Sequence, residues 1–104
     1  MASLYITEFE HMPSLTSWGV IPQCPQAPGL AEQKLAIGGT SVASAAFNAK
    51  TKFVMLHTDV ICSIAWSETG TDPTAAATAQ RMAANETRFY GVRSGGKVAV
   101  ITNT

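Results

Sequence analysis

Apolar and polar positions alternate along much of this chain with a period of two. Leu4, Ile6 and Glu8 fall opposite Tyr5, Thr7 and Phe9, and Glu32, Lys34 and Ala36 fall opposite Gln33, Leu35 and Ile37. Successive side chains of an extended backbone point to opposite faces, so each run predicts a strand with one face turned inward. From Lys52 onward the pattern strengthens. Phe53–His57, Val60–Trp66, Glu86–Val92 and Lys97–Ile101 are rich in β-branched and aromatic residues and are bounded by Asp, Gly, Asn or Ser. They recur at roughly 8–12-residue spacing, which predicts a sandwich or barrel. The expected fold is all-β, a compact antiparallel β-sandwich. Val60, Cys62, Ile64 and Trp66 are expected on one buried face, and Val98 and Val100 share a face of the last strand.

The breaks in the pattern set the organisation. Residues 1–31 hold four of the five prolines (Pro13, Pro22, Pro25 and Pro28) and no Lys or Arg. Ser17–Ile21 reads as a short second strand ended by Pro22. In Pro22–Gly29 the prolines fix φ near −65° and remove amide donors, which predicts an extended, polyproline-like crossing. One domain is expected over 1–104, with 1–30 as an extended Pro-rich segment and 31–104 as the sandwich core. That segment, carrying Leu4, Tyr5, Phe9 and Trp18, either covers its own core or reaches onto a neighbouring subunit. The residues themselves leave both readings open.

Gly38-Gly39 is a turn signal, Thr40–Lys50 is small and polar around Val42 and Phe47, and Asn48–Thr51 reads as a turn. Asp72–Asn85 is ambiguous. An Asp cap followed by Pro and Ala-rich filling are helix signals, but only Met82 is large, so a helix would have little to bury. A loop followed by a short strand around Gln80–Ala83 is expected, with helix confined at most to part of 73–84.

Charge changes the picture of partners. Charged residues make up 13% of the chain, seven Lys+Arg balance seven Asp+Glu, and a typical soluble domain carries about 25%. Such a chain has no electrostatic footprint for nucleic acid or for an anionic membrane, and near-zero net charge favours association. Sixteen Ala, twelve Thr and eight Ser take the place of charges. They fit either a thin domain with small side chains or flat surfaces that pack closely on another protein. No apolar run approaches the ~20 residues of a membrane-spanning helix. The opening Met-Ala-Ser-Leu-Tyr-Ile lacks the n- and h-regions of a secretory signal, so synthesis in a cytoplasm is expected. Cys24 and Cys62 make no disulfide framework; both are expected reduced, with Cys62 a small core residue.

Candidate chemistry is sparse. His57 and Asp59 lie two apart, but a triad also needs a nucleophile and an oxyanion site, and no G-x-S-x-G elbow is present. His11, His57, Cys24 and Cys62 show neither C-x-x-C nor H-x-x-x-H spacing for zinc. Ser94-Gly95-Gly96-Lys97 lacks the rest of a phosphate loop and fits a Gly-Gly hairpin turn. Asn85-Glu-Thr87 matches a glycosylation sequon but reads as a turn. Trp18, Trp66, Tyr5 and Tyr90 have no spacing that marks a stacking platform over core and interface packing. No catalytic residue, cofactor site or metal site is assigned, and the chain is not expected to be an enzyme.

Several segments occur in a characteristic order: Ala46–Asp59, the strand ending Cys-Ser-Ile-Ala-Trp66, Thr71–Ala75, Arg81–Val92, and a terminal Gly-Lys-Val-Ala-Val-Ile-Thr-Asn. With the opening Leu-Tyr-Ile-Thr-Glu-Phe and the Pro-rich crossing, the chain resembles the small capsid decoration (cement) proteins encoded near the major capsid gene of tailed bacteriophages. The resemblance is a pattern of strands and turns over most of the chain. It implies a jelly-roll-like sandwich that sits as a homodimer or homotrimer on the outer surface of the virion and ties neighbouring major capsid proteins together. It carries no catalytic residue over, and it turns the reading of residues 1–30 toward an intersubunit role, with Leu4, Tyr5, Ile6, Phe9 and Trp18 as interface residues. A phage tail, head–tail connector or fibre component is the alternative, and a small non-viral ligand-binding β-barrel is the second.

Overall fold

The computed structural model describes residues 2–10, 29–76 and 78–103. Eight strands form in chain order: β1 (Ser3–Phe9), β2 (Ala31–Ala36), β3 (Val42–Ala43), β4 (Phe53–Thr58), β5 (Cys62–Ser67), β6 (Gln80–Met82), β7 (Thr87–Gly91) and β8 (Lys97–Thr102). They make two four-stranded antiparallel sheets, ordered β2-β1-β4-β7 and β3-β8-β5-β6. No helix occurs among the described residues, and the all-β expectation holds.

Both sheets contribute to one core. Leu4, Ile6, Leu35, Val54 and Leu56 from the first cluster with Cys62, Ile64, Met82, Val98 and Val100 from the second, and with Phe47 from the connection between β3 and β4. Cys62 and Ile64 are buried and Trp66 packs half-buried on the same cluster, as the alternation predicted, whereas Val60, expected on that face, is half-buried and lies outside β5 and the cluster. Alternation weakens on the other face of that sheet, where Ser63 and Ala99 are also sealed from solvent. Asn103 Nδ2 donates to Ser63 Oγ over 2.6 Å, which satisfies the buried hydroxyl.

Three expectations need correction. Residues 3–9, which the resemblance turned toward an intersubunit role, are a middle strand of this chain's own sheet: β1 lies between β2 and β4, in register with both. Leu4, Ile6 and Phe9 are therefore buried within this chain, because the period of two that made them a strand also aims Leu4 and Ile6 at the core. β1 thus shares one sheet with β2, β4 and β7 from beyond residue 30. The Ser94–Lys97 turn is not a hairpin, since it carries the chain from β7 in one sheet to β8 in the other. Gly96 N–H closes this turn on Arg93 C=O at 3.1 Å, with Gly95 at φ 79°, the conformation of a type II turn. Finally, β3 is a two-residue strand in a stretch read only as small and polar; its pairing to β8 supplies what its own residues do not.

The 72–85 segment resolves toward the loop reading. Gln80–Met82 pairs with β5 and buries Met82, the one large apolar side chain there. The Ser17–Ile21 strand, the Pro22–Gly29 crossing up to Pro28, Trp18, Cys24 and His11 lie outside the described residues.

Candidate interaction surface

The outward faces of the two sheets differ in chemistry. On the second, the neighbouring positions Ala43, Ala99 and Ala65 present only methyl groups. Residues 72–75 lie over that side: Ala75 N–H donates to Ser41 Oγ over 2.9 Å, Asp72 pairs with Lys97 at 2.6 Å, and Ala75 is buried. A small-residue row lets a loop approach the sheet closely.

The first sheet turns large side chains outward. Three rows cross it, read from the registers: Lys34, Tyr5, His57 and Thr87; Glu32, Thr7, Met55 and Phe89; Phe9, Phe53 and Gly91. Phe9 and Phe53 stack with ring centroids 5.3 Å apart. Tyr5 meets the His57 ring at 6.3 Å and carries the Lys34 ammonium 5.5 Å above its own ring, within the range of a cation–π contact. Phe89 is 53% exposed and Tyr5 40%, the highest values among the described large hydrophobic residues, and Met55 and Phe53 are half-exposed between them. The only formal charges in these rows, Glu32 and Lys34, stand on β2 at one margin.

The inner side of β7 is fixed by a chain of polar contacts. Trp66 Nε1 donates to Gln80 Oε1 at 3.3 Å, Gln80 Nε2 donates to the Tyr90 hydroxyl at 2.8 Å, and Arg88 reaches the same hydroxyl at 3.3 Å. Arg88 also pairs with Glu86 at 2.8 Å. The Tyr90 hydroxyl and the Glu86 carboxylate both hold the guanidinium pKa up. The Arg88 bond, helped by the Ala83 amide, holds the Glu86 carboxyl below its usual range. With Trp66 and Tyr90 packed at 5.0 Å, this chain links β7 to β5 and β6 of the other sheet and holds the Phe89 side outward.

Of the expected interface residues, only Tyr5 is exposed among those described; Leu4 and Ile6 face the core, Phe9 lies in an outward row but is buried, and Trp18 lies outside the described residues. Sequence reasoning missed Phe89, Met55 and Phe53. The signal was the alternation of Phe89 with Tyr90, which puts an aromatic ring on each face of one strand, so that one ring faces away from the core.

His57 Nδ1 lies 2.8 Å from Thr87 Oγ1 on the neighbouring strand. Among the described residues no three His, Cys, Asp or Glu side chains gather as metal ligands. The Cys62 thiol is buried, and burial pushes its pKa up. Scans against protein-family models, curated proteins and solved structures each found no match to this chain.

Proposed function

We propose that this chain is a structural virion protein, a capsid decoration or cement protein that binds the outer surface of a phage head and bridges neighbouring major capsid proteins. The observation that carries the reading is the outer face of the first sheet, where Tyr5 and Phe89 are exposed, Phe53 and Met55 are partly exposed between them, and the three rows hold formal charges only at Glu32 and Lys34 on β2. A surface of that kind suits a large protein partner better than a small ligand, which favours concave sites. The order of segments along the chain adds the resemblance to phage cement proteins, and the low charge agrees with lasting protein–protein packing.

The strand orders support a finer reading of the fold as a jelly-roll sandwich. Strands nest as β2 with β1, β3 with β8, β4 with β7 and β5 with β6, alternating between the sheets. That is the arrangement of one long antiparallel ribbon rolled into two layers, with β1 standing where a final strand would otherwise lie. The shared core of the two sheets agrees with it.

In this reading the protein acts through buried area. It binds assembled shells in preference to dispersed subunits and so stabilises the shell by mass action. The test is to mix the purified protein with undecorated heads, count bound copies and measure survival of heat or osmotic shock. Saturation at many copies spread over the shell, with improved survival, supports the role. Binding at a handful of sites indicates a connector or fibre component, and full occupancy with unchanged survival removes the cement role.

A further inference from the structure

We propose that β7 is the pairing edge for a second copy of this chain, with two β7 strands meeting antiparallel about a two-fold axis at Phe89. The inference rests on backbone geometry and does not depend on the capsid reading. Val92 N–H donates to Lys52 C=O at 3.0 Å, and Thr58 N–H donates to Glu86 C=O at 3.2 Å. These bonds bracket the β4–β7 register and fix its phase: residues 86, 88, 90 and 92 turn their backbone groups toward β4. Thr87, Phe89 and Gly91 therefore turn theirs away from the sheet. β7 is the last strand of its sheet, and no hydrogen bond reaches these outward groups. A row of donors and acceptors at strand spacing is satisfied by another strand.

The other three edges are guarded. β3 and β6 have only two and three residues. On β2 the same phase argument, from Ile37 N–H to Ala2 C=O at 3.1 Å, turns Glu32, Lys34 and Ala36 outward, so two charges sit on that edge. Charged and very short edge strands resist pairing. β7 has five residues, and its outward positions carry Thr, Phe and Gly.

The occupant follows from self-complementarity. With the axis at Phe89, Phe89 faces its own counterpart, Thr87 faces the second copy's Gly91, and Arg88 faces the second copy's Tyr90. No like charges stand directly opposite, and each Arg88 is already paired with its own Glu86 at 2.8 Å. The zero formal net charge of the chain gives no overall repulsion between copies. The contact is isologous and uses up the edge of both copies, so it closes at two. The outcome is one eight-stranded sheet whose outer faces run together, with the two Phe89 rings covering each other at the seam.

Three measurements on the full chain test this. The wild-type protein should sediment at twice its 11.0 kDa mass, and Phe89→Lys should sediment as a monomer with unchanged far-ultraviolet dichroism. Hydrogen exchange at the Thr87, Phe89 and Gly91 amides should slow as concentration rises, while exchange at Glu32 and Lys34 does not change. Phe89→Cys in a Cys24→Ser background should cross-link to a dimer on mild oxidation, because a directly bonded antiparallel pair sets Cα atoms about 5.5 Å apart, within disulfide reach; Tyr5→Cys in that background should not. A wild-type monomer or trimer, a dimer that survives Phe89→Lys, or unprotected Phe89 amides together with no cross-link would overturn the proposal. If Phe89→Lys fails to fold, the exchange and cross-linking results decide.

Discussion

Thr51 donates its hydroxyl to the carboxylate of Glu8 over 2.7 Å, and both side chains are closed off from solvent. Asn48 N–H donates to the same oxygen at 2.7 Å, and Gln33 Nε2 donates to the other at 3.1 Å. Gln33 in turn accepts from Ala45 N–H at 2.9 Å. Glu8 shares the core-facing side of β1 with Leu4 and Ile6, where an unpaired carboxylate would be costly. It is tolerated because the chain from 45 to 51 brings donors to it, and that chain carries Phe47 into the core as it passes from one sheet to the other.

Glu8→Ala should therefore cost about 2–4 kcal/mol, because it strands several donors at once and leaves a void. Thr51→Val should cost about 1–2 kcal/mol. Glu8→Gln should also destabilise, since its amide nitrogen must face either Gln33 or the Thr51 and Asn48 donors. Urea unfolding of the three variants gives the order, and a Glu8→Gln protein as stable as wild type would show that the charge is not needed there.

Much of the strand framework was legible because period-two patterning is a local property. Glu32, Lys34 and Ala36 do alternate with half-buried or buried Gln33, Leu35 and Ile37, and Phe53, Met55 and His57 alternate with buried Val54, Leu56 and Thr58. What pairs with what is not local. Val42–Ala43 becomes a strand only because β8 lies beside it, and Leu4–Phe9 becomes a middle strand only because β2 and β4 flank it. Glu8 illustrates the same limit, since its partners lie at least 25 residues away. Tyr5 was singled out only together with its neighbours as an expected interface residue, whereas the exposure of Phe89 follows from its alternation with Tyr90, whose ring takes the inner side of β7.

Gly96 is required for contact rather than for backbone freedom. A Cβ placed there would lie 2.7 Å from Ser67 C=O and 3.1 Å from Arg93 C=O, both backbone atoms, at the point where the chain changes sheets. Gly96→Ala should destabilise by about 1–3 kcal/mol through forced backbone movement. Gly70→Ala, where a Cβ would meet open space, should stay within about 0.5 kcal/mol. Thermal melts of the pair test the difference, and equal midpoints would remove the close approach.

The Glu86 carboxyl titrates below its ordinary value of 4.5, first because of Arg88 and then because of the Ala83 amide. A lowered folded-state pKa means that the group stabilises the protein above the ordinary value and loses that contribution as pH falls through the folded one. Carboxyl carbon chemical shifts should give a midpoint below 4.5 in the wild type, and Arg88→Ala should move it upward. An unmoved midpoint would mean that the 2.8 Å pair does not persist in solution.

Cys62 supplies the opposite pH dependence. Burial is the main reason its thiol pKa lies above the ordinary 9.0; Glu86 adds to the shift, and the hydrogen bond with Thr58 opposes it. The unfolded chain loses this proton near its ordinary pKa while the folded chain still holds it, so the unfolded state binds fewer protons in that window and stability falls as pH rises. In a Cys24→Ser background, the Cys62 contribution to unfolding free energy should be constant up to about pH 8 and then decline, by at most about 1.4 kcal/mol per pH unit for one thiol. Adding Cys62→Ala should lower stability by a cavity cost but remove that part of the slope above about pH 8. Iodoacetamide provides an independent check: in the same background, modification should wait on unfolding, because Cys62 is fully enclosed between the sheets. Rapid labelling of the folded protein at neutral pH would contradict both the burial and the predicted slope.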